Sequence, residues 1–189
     1  MAGKLIILSG PSGTGKSSIA KKILENEAYN LSFSISVTSR LKREDEEDGK
    51  DYYFLSIDSF KSKIEDNEFL EWEEVYPTQY YGTLKIEIER LKSMGKNVIF
   101  DVDVNGAMSI KRRHKEESVS IFIKPPSIEA LEERLRNRKT ETEDSIARRV
   151  RKANMENTYA RKFDHIIENK DLNEAVKQVE EIVSDFLDK

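Results

Sequence analysis

The chain has 189 residues, of which 36% are charged and 37% hydrophobic, with a net charge of −4 and no cysteine. That length suits one substantial core with smaller insertions rather than two large domains. The missing cysteines exclude disulfides, thiolate metal sites and a cysteine nucleophile, and the balanced charge gives no support to a nucleic-acid partner.

The first apolar run, Leu5 to Leu8, reads as a buried strand, and Met1-Ala2-Gly3-Lys4 leads into it without the look of a signal peptide. Next comes Gly10-Pro11-Ser12-Gly13-Thr14-Gly15-Lys16-Ser17, the pattern GxxxxGK[ST] in its required setting of strand before and helix after. Its glycines let backbone N–H groups turn inward on anionic oxygens, and the following helix adds its positive end. Lys16 is placed to reach the β- and γ-phosphates of a nucleotide, and the Ser17 hydroxyl to hold Mg²⁺. The helix carries Ile19, Ala20, Ile23 and Leu24 on one face.

Residues 34–94 read as an inserted substrate module. Phe33 to Thr38 and Tyr52 to Leu55 have strand character, separated by the charged run from Lys42 to Lys50. Core strands resume at Val98 to Val102, Val119 to Ile123 and His165 to Ile167. A second insertion, 127–154, follows Pro125-Pro126-Ser127, with Ser127 as helix N-cap and arginines dense from Arg134 to Arg151. The chain closes on a helix whose apolar stripe includes Ala175, Val179, Val183 and Phe186. The fold expected is α/β: a three-layer P-loop core with a parallel sheet, made of 1–33, 95–126 and 155–189, and carrying the two insertions. No apolar stretch approaches the ~20 residues that span a bilayer, so a cytoplasmic protein with no membrane partner is expected.

Asp101 ends an apolar run at the edge where nucleotide-binding sheets place an acid beside Mg²⁺, and alternation puts Asp103 on the same face of that strand. The arginines form two groups, Arg40 and Arg43 in the first insertion and Arg134, Arg138, Arg148 and Arg149 in the second. Phosphoryl transfer needs concentrated, rigid positive charge, which guanidinium forks supply; Glu132 and Arg136 read instead as a solvated i,i+4 pair. His114 and His165 are too isolated for a metal site or a catalytic dyad.

The stretch from Thr38 to Phe54, with Glu68-Phe69-Leu70-Glu71-Trp72, Tyr80-Tyr81-Gly82-Thr83, Asp101-Val102-Asp103, Phe122 to Ser127 and Thr140-Glu141-Thr142-Glu143, resembles the guanylate kinases. The resemblance runs over almost the whole chain in the right order. It implies phosphorylation of GMP by ATP with Mg²⁺, by a monomer or homodimer, with 34–94 as the GMP-binding insertion and 127–154 as a lid. It assigns Gly10, Pro11, Ser12, Gly13, Thr14, Gly15, Lys16, Ser17 and Ser18, with Arg134, Arg138 and Asn169, to ATP. Arg40, Arg43, Tyr52 and Tyr81 fall to the GMP phosphate, and Ser36, Glu71, Thr83 and Asp103 to the guanine. Lys16, Arg40, Arg43, Arg134, Arg138 and Arg149 carry catalysis in that reading, and Ser17 and Asp101 hold the metal. Glu71 suits guanine, whose N1–H and amine are adjacent donors, while Ser36 and Thr83 hydroxyls suit O6. The competing reading is a guanylate-kinase-like module that binds phosphopeptides without catalysis. The intact phosphate loop and the absence of an attached partner domain argue against it.

Overall fold

The structure is a computed structural model and describes residues 3–137 and 142–189. In chain order the elements are β1 (Leu5–Ser9), α1 (Lys16–Leu24), β2 (Leu31–Phe33), β3 (Val37–Thr38), β4 (Tyr53–Phe54), α2 (Ile57–Glu65), β5 (Phe69–Tyr76) and β6 (Gln79–Leu84). They continue with α3 (Lys85–Ser93), β7 (Asn97–Asp101), α4 (Val104–Arg113), β8 (Ser118–Lys124), α5 (Ile128–Asn137), α6 (Glu143–Asn157), β9 (His165–Glu168) and α7 (Leu172–Leu187).

Five strands form an all-parallel sheet in the order β2-β7-β1-β8-β9. Strands buried on both faces favour continuous apolar side chains, and β1 has them from Leu5 to Leu8, with Ser9 at its end also buried. Its alternate residues feed two separate cores. Leu5 and Ile7 join Phe100 and Phe122 beneath Ile88 and Leu91 of α3 and Ala107 and Ile110 of α4. Ile6 and Leu8 join Ile99, Ile121 and Ile123 against Ile19 and Ile23 of α1 and Val179 and Val183 of α7. Helices therefore cover both faces, giving the three-layer α/β fold.

A second sheet, ordered β4-β3-β6-β5, stands apart from the first. It packs on α2 around Val37, Phe60 and Phe69, with the rings of Phe60 and Phe69 stacked at 4.4 Å. Helices α5 and α6 close a further small core through Leu131, Leu135, Ile146 and Ala153. Among the described residues no helix is long and apolar enough to cross a membrane.

Two local expectations are corrected. Phe33 to Thr38 is not one strand: Leu31–Phe33 pairs with β7 in the parallel sheet, whereas Val37–Thr38 pairs with β4 and β6 in the other. The chain changes sheets just after Ser34, whose N–H still donates to Ile99 O at 2.9 Å. Asp103 does not share a strand face with Asp101 either. Strand β7 ends at Asp101, and Asp103 is the N-cap of α4, its side chain accepting from the Gly106 N–H at 2.9 Å.

Phe60 is fully buried and stacked, so truncation leaves a void that the small sheet cannot collapse into. Phe60→Ala is expected to cost about 3–5 kcal/mol, read as a lower urea midpoint at unchanged slope, with Phe60→Leu losing much less.

Candidate active site

The loop between β1 and α1 is shaped by its glycines. Gly10 adopts φ 131° and Gly15 φ 93°; a Cβ would fall 2.2 Å from Ile123 O at the first and 2.5 Å from Asn169 Nδ2 at the second. Asn169, 3% exposed after β9, donates from Nδ2 to Thr14 O at 2.7 Å, so it braces the loop from behind. Thr14 is turned inward, its hydroxyl donating to Pro11 O at 2.9 Å. Lys16 folds back over the loop, donating to Gly10 O at 2.7 Å and Pro11 O at 3.1 Å, with Nζ 3.8 Å from Asp101 Oδ1. Ser17 donates to Asp101 Oδ2 at 2.5 Å. Ser18 follows on the exposed side of α1. Ser17 and Asp101 thus present hard oxygen donors, the ligand chemistry that suits Mg²⁺.

Tyr81 lies on β6 of the second sheet, and Arg40, Arg43 and Tyr52 lie in the connection between β3 and β4. Arg40 Nε donates to the Tyr81 hydroxyl at 3.1 Å, and its guanidinium lies over the Tyr52 ring at 5.0 Å. Its fork is bidentate on Glu46, at 2.6 and 2.5 Å, and Glu46 also accepts from the Arg43 backbone N–H at 2.9 Å. Burial disfavours both charges, but the pairing outweighs it, raising the Arg40 pKa and lowering that of Glu46. Burial and then the negative charge of Asp101 raise the Tyr52 pKa, a sign that this ring lies within the field of the phosphate loop's acid. The pairing with Glu46 was hidden in the charged run, where an acid six residues after Arg40 looks like solvent-facing charge.

At the other end of the same sheet, Glu71 on β5 and Thr83 on β6 are paired in register, and the Thr83 hydroxyl donates to Glu71 Oε1 at 2.7 Å. The hydroxyl hydrogen expected for O6 of a base is thus directed to the carboxylate. Glu71 is 8% exposed, and burial first, with Asp103 and Glu73 adding repulsion, pushes its pKa up to about 7. Gly106 lets the two acids converge: a Cβ there would meet Glu71 Oε2 at 2.5 Å and Asp103 Oδ1 at 3.4 Å. Ser36 is buried at the start of the same sheet, its carbonyl accepting from the Tyr53 N–H at 2.9 Å.

Helix α6 touches all three regions. Arg149 donates to Ser12 Oγ in the phosphate loop at 2.7 Å and lies over the Tyr76 ring of β5 at 5.4 Å. Lys152, one turn on, pairs with Asp103 at 3.6 Å and with Glu156 at 3.7 Å. Glu156 is buried, which raises its pKa against the pull of Lys16 and Lys152. Arg134 on α5 donates to Asn169 O at 2.9 Å, beside the brace of the loop. Arg136 pairs with Glu132 at 2.8 Å, the solvated i,i+4 contact read from the sequence. Arg138 lies outside the described residues. Between the second sheet and α6 opens a cavity of ≈ 270 Å³, lined by Arg40, Arg43, Tyr76, Tyr81, Arg148 and Arg149 among others. Lys152 and Glu156 carried no motif signal, because a lysine four residues before a glutamate occurs on any solvated helix.

A family model described as guanylate kinase matches residues 2–186. The chain is 50% identical over 186 residues to a guanylate kinase of Porphyromonas gingivalis, covering 98% of this chain and 99% of that protein. It is 48% identical over 189 residues to a guanylate kinase of Bacteroides thetaiotaomicron, covering 100% of this chain and 92% of that one. The crystal structure of a guanylate kinase from Anaplasma phagocytophilum aligns with a TM-score of 0.79 at 31% identity, over 100% of this chain and 88% of that one.

The Glu71 carboxyl holds its proton in the folded protein to about pH 7, whereas the unfolded chain releases it near 4.5. Its contribution to stability is therefore present at low pH and lost as pH rises through about 7. Glu71→Gln, which cannot ionise, is expected to gain stability relative to the parent between about pH 5 and about pH 8 in urea titrations; a constant difference would rule out a buried acid here.

Proposed function

The chain belongs to the guanylate kinase family and transfers the γ-phosphate of ATP to GMP, and from that premise we propose which of its residues do the work. Residues 1–33, 95–126 and 155–189 are the catalytic core, 34–94 the GMP-binding insertion and 127–154 the lid. The observation that carries the assignment is the cavity lined by arginines of two separate segments, Arg40 and Arg43 from one insertion and Arg148 and Arg149 from the other. Two anions can meet only where their mutual repulsion is offset from several sides.

The ATP phosphates lie in the loop from Gly10 to Ser18, where backbone N–H groups and the α1 N-terminus face them. Lys16, already inside the loop, exchanges its carbonyl partners for phosphate oxygens. Arg149 reaches the same loop through Ser12, which supports a place beside the transferring group. Arg134 and Asn169 border the ATP side, and Asn169 acts by bracing Thr14. Arg138 is assigned there by the family resemblance and by its spacing from Arg134 in the sequence. Ser17 and Asp101 would hold Mg²⁺, which would supply positive charge to offset that of the nucleotide phosphates.

GMP places its phosphate against Arg40, Arg43, Tyr52 and Tyr81, and its guanine among Ser36, Glu71, Thr83 and Asp103. Glu71 accepts N1–H and the amine together, and Thr83 holds it in place for that. Adenine offers no such pair of donors. The attacking phosphate oxygen is already anionic, so the protein has to align and desolvate it rather than abstract a proton. The enzyme works on these small molecules in the cytoplasm, as a monomer or homodimer.

ADP release measured with GMP, dGMP, AMP, CMP and UMP tests the reading, with GMP expected to be the best acceptor. Glu71→Gln should raise the KM for GMP on the order of 10²-fold and leave that for ATP within about twofold. Equal losses for the two substrates would contradict the assignment. Lys16→Ala should reduce turnover by about 10²–10³-fold with an unchanged urea midpoint; retained activity would remove Lys16 from the mechanism.

A further inference from the structure

Asp103 sits in an unusual electrostatic position. Its Oδ1 is fixed by the Gly106 N–H at 2.9 Å, while its Oδ2 is buried and accepts no hydrogen bond. Two other buried carboxylates, Glu71 and Glu156, both feel its charge. Among the described ion pairs, its one cation is Lys152, whose ammonium is 3.6 Å from Oδ2. At that distance the charges attract, but the ammonium makes no hydrogen bond, so the oxygen keeps its capacity to accept one. Lys152 is itself held by Glu156 at 3.7 Å and by the Tyr76 ring at 5.5 Å, and is only 26% exposed.

We propose that Lys152 is a positioning residue for base recognition: it holds the Asp103 carboxylate ready for a guanine donor and does so without consuming the acceptor. The inference rests on the assignment of Asp103 to the guanine. An ammonium at this point also ties the base to α6, the helix whose Arg149, one turn earlier, reaches Ser12 of the phosphate loop. A neutral side chain at position 152 would leave three acids facing one another with less countercharge, and Asp103 would turn away from the place where it meets the base.

The test is a double-mutant cycle on the full chain, with KM measured for GMP and for ATP. Lys152→Met is expected to raise the KM for GMP roughly fivefold to twentyfold, with ATP unchanged, and Lys152→Arg to restore most of it. In an Asp103→Asn background, itself impaired for GMP, Lys152→Met should add little. If Asp103→Asn impairs GMP but the two effects multiply, or if Lys152→Met alters kcat and both KM values together, the proposal falls. If Asp103→Asn leaves the KM for GMP unchanged, the assignment of Asp103 to the base falls, and this inference with it. Should Lys152→Met not fold, Lys152→Gln takes its place in the same cycle.

Discussion

One register holds the site together. β1 and β7 run parallel with Leu8 beside Asp101, and that pairing brings the strand-end acid to the first turn of α1, where Ser17 and Lys16 meet it. The register is enforced from both faces. Leu5 and Ile7 belong to one core and Ile6 and Leu8 to the other, so slipping by one residue would exchange every side chain between two differently shaped layers. The chemistry at the sheet edge is thus fixed by apolar packing several residues away.

With position set in this way, charge is handled by pairing. Arg40 has Glu46, Lys16 has Asp101, and Lys152 has Asp103 and Glu156. A buried cation is costly alone, and each of these carries its own carboxylate. For Arg40 the consequence is specific. Of its five N–H groups, Nε goes to Tyr81, Nη1 to Leu41 O and Glu46, and Nη2 to Glu46. Under the proposed assignment, phosphate binding at Arg40 is an exchange of oxygen partners on a guanidinium already held in orientation, whereas Arg43, with its side chain 43% exposed, offers the more open fork.

The phosphate loop is legible from sequence because its glycines answer a steric demand that no other residue meets, and the core strands because burial on both faces favours long apolar runs. The expected places for Glu71 and Thr83 rested on a family likeness, and their mutual hydrogen bond depends on strand pairing that residue order does not display. The strand from Phe33 to Thr38 was misread because continuous β propensity does not reveal where a chain changes sheets. Asp103 was misread because an acid two residues after another fits a strand and a helix cap equally well, and the cap hydrogen bond to Gly106 decides between them. Glu46, Lys152 and Glu156 were invisible for a common reason: in a chain that is 36% charged, only tertiary contact separates a working ion pair from a solvated one.

Gly106 stands at the meeting of Glu71 and Asp103, one turn into α4 and remote from the phosphate loop's own glycines. The place where Glu71 and Asp103 converge and the turns of the phosphate loop are thus shaped by different stretches of the polypeptide. A side chain added at position 106 would therefore crowd these two acids while leaving untouched the glycine turns on which the phosphate loop depends.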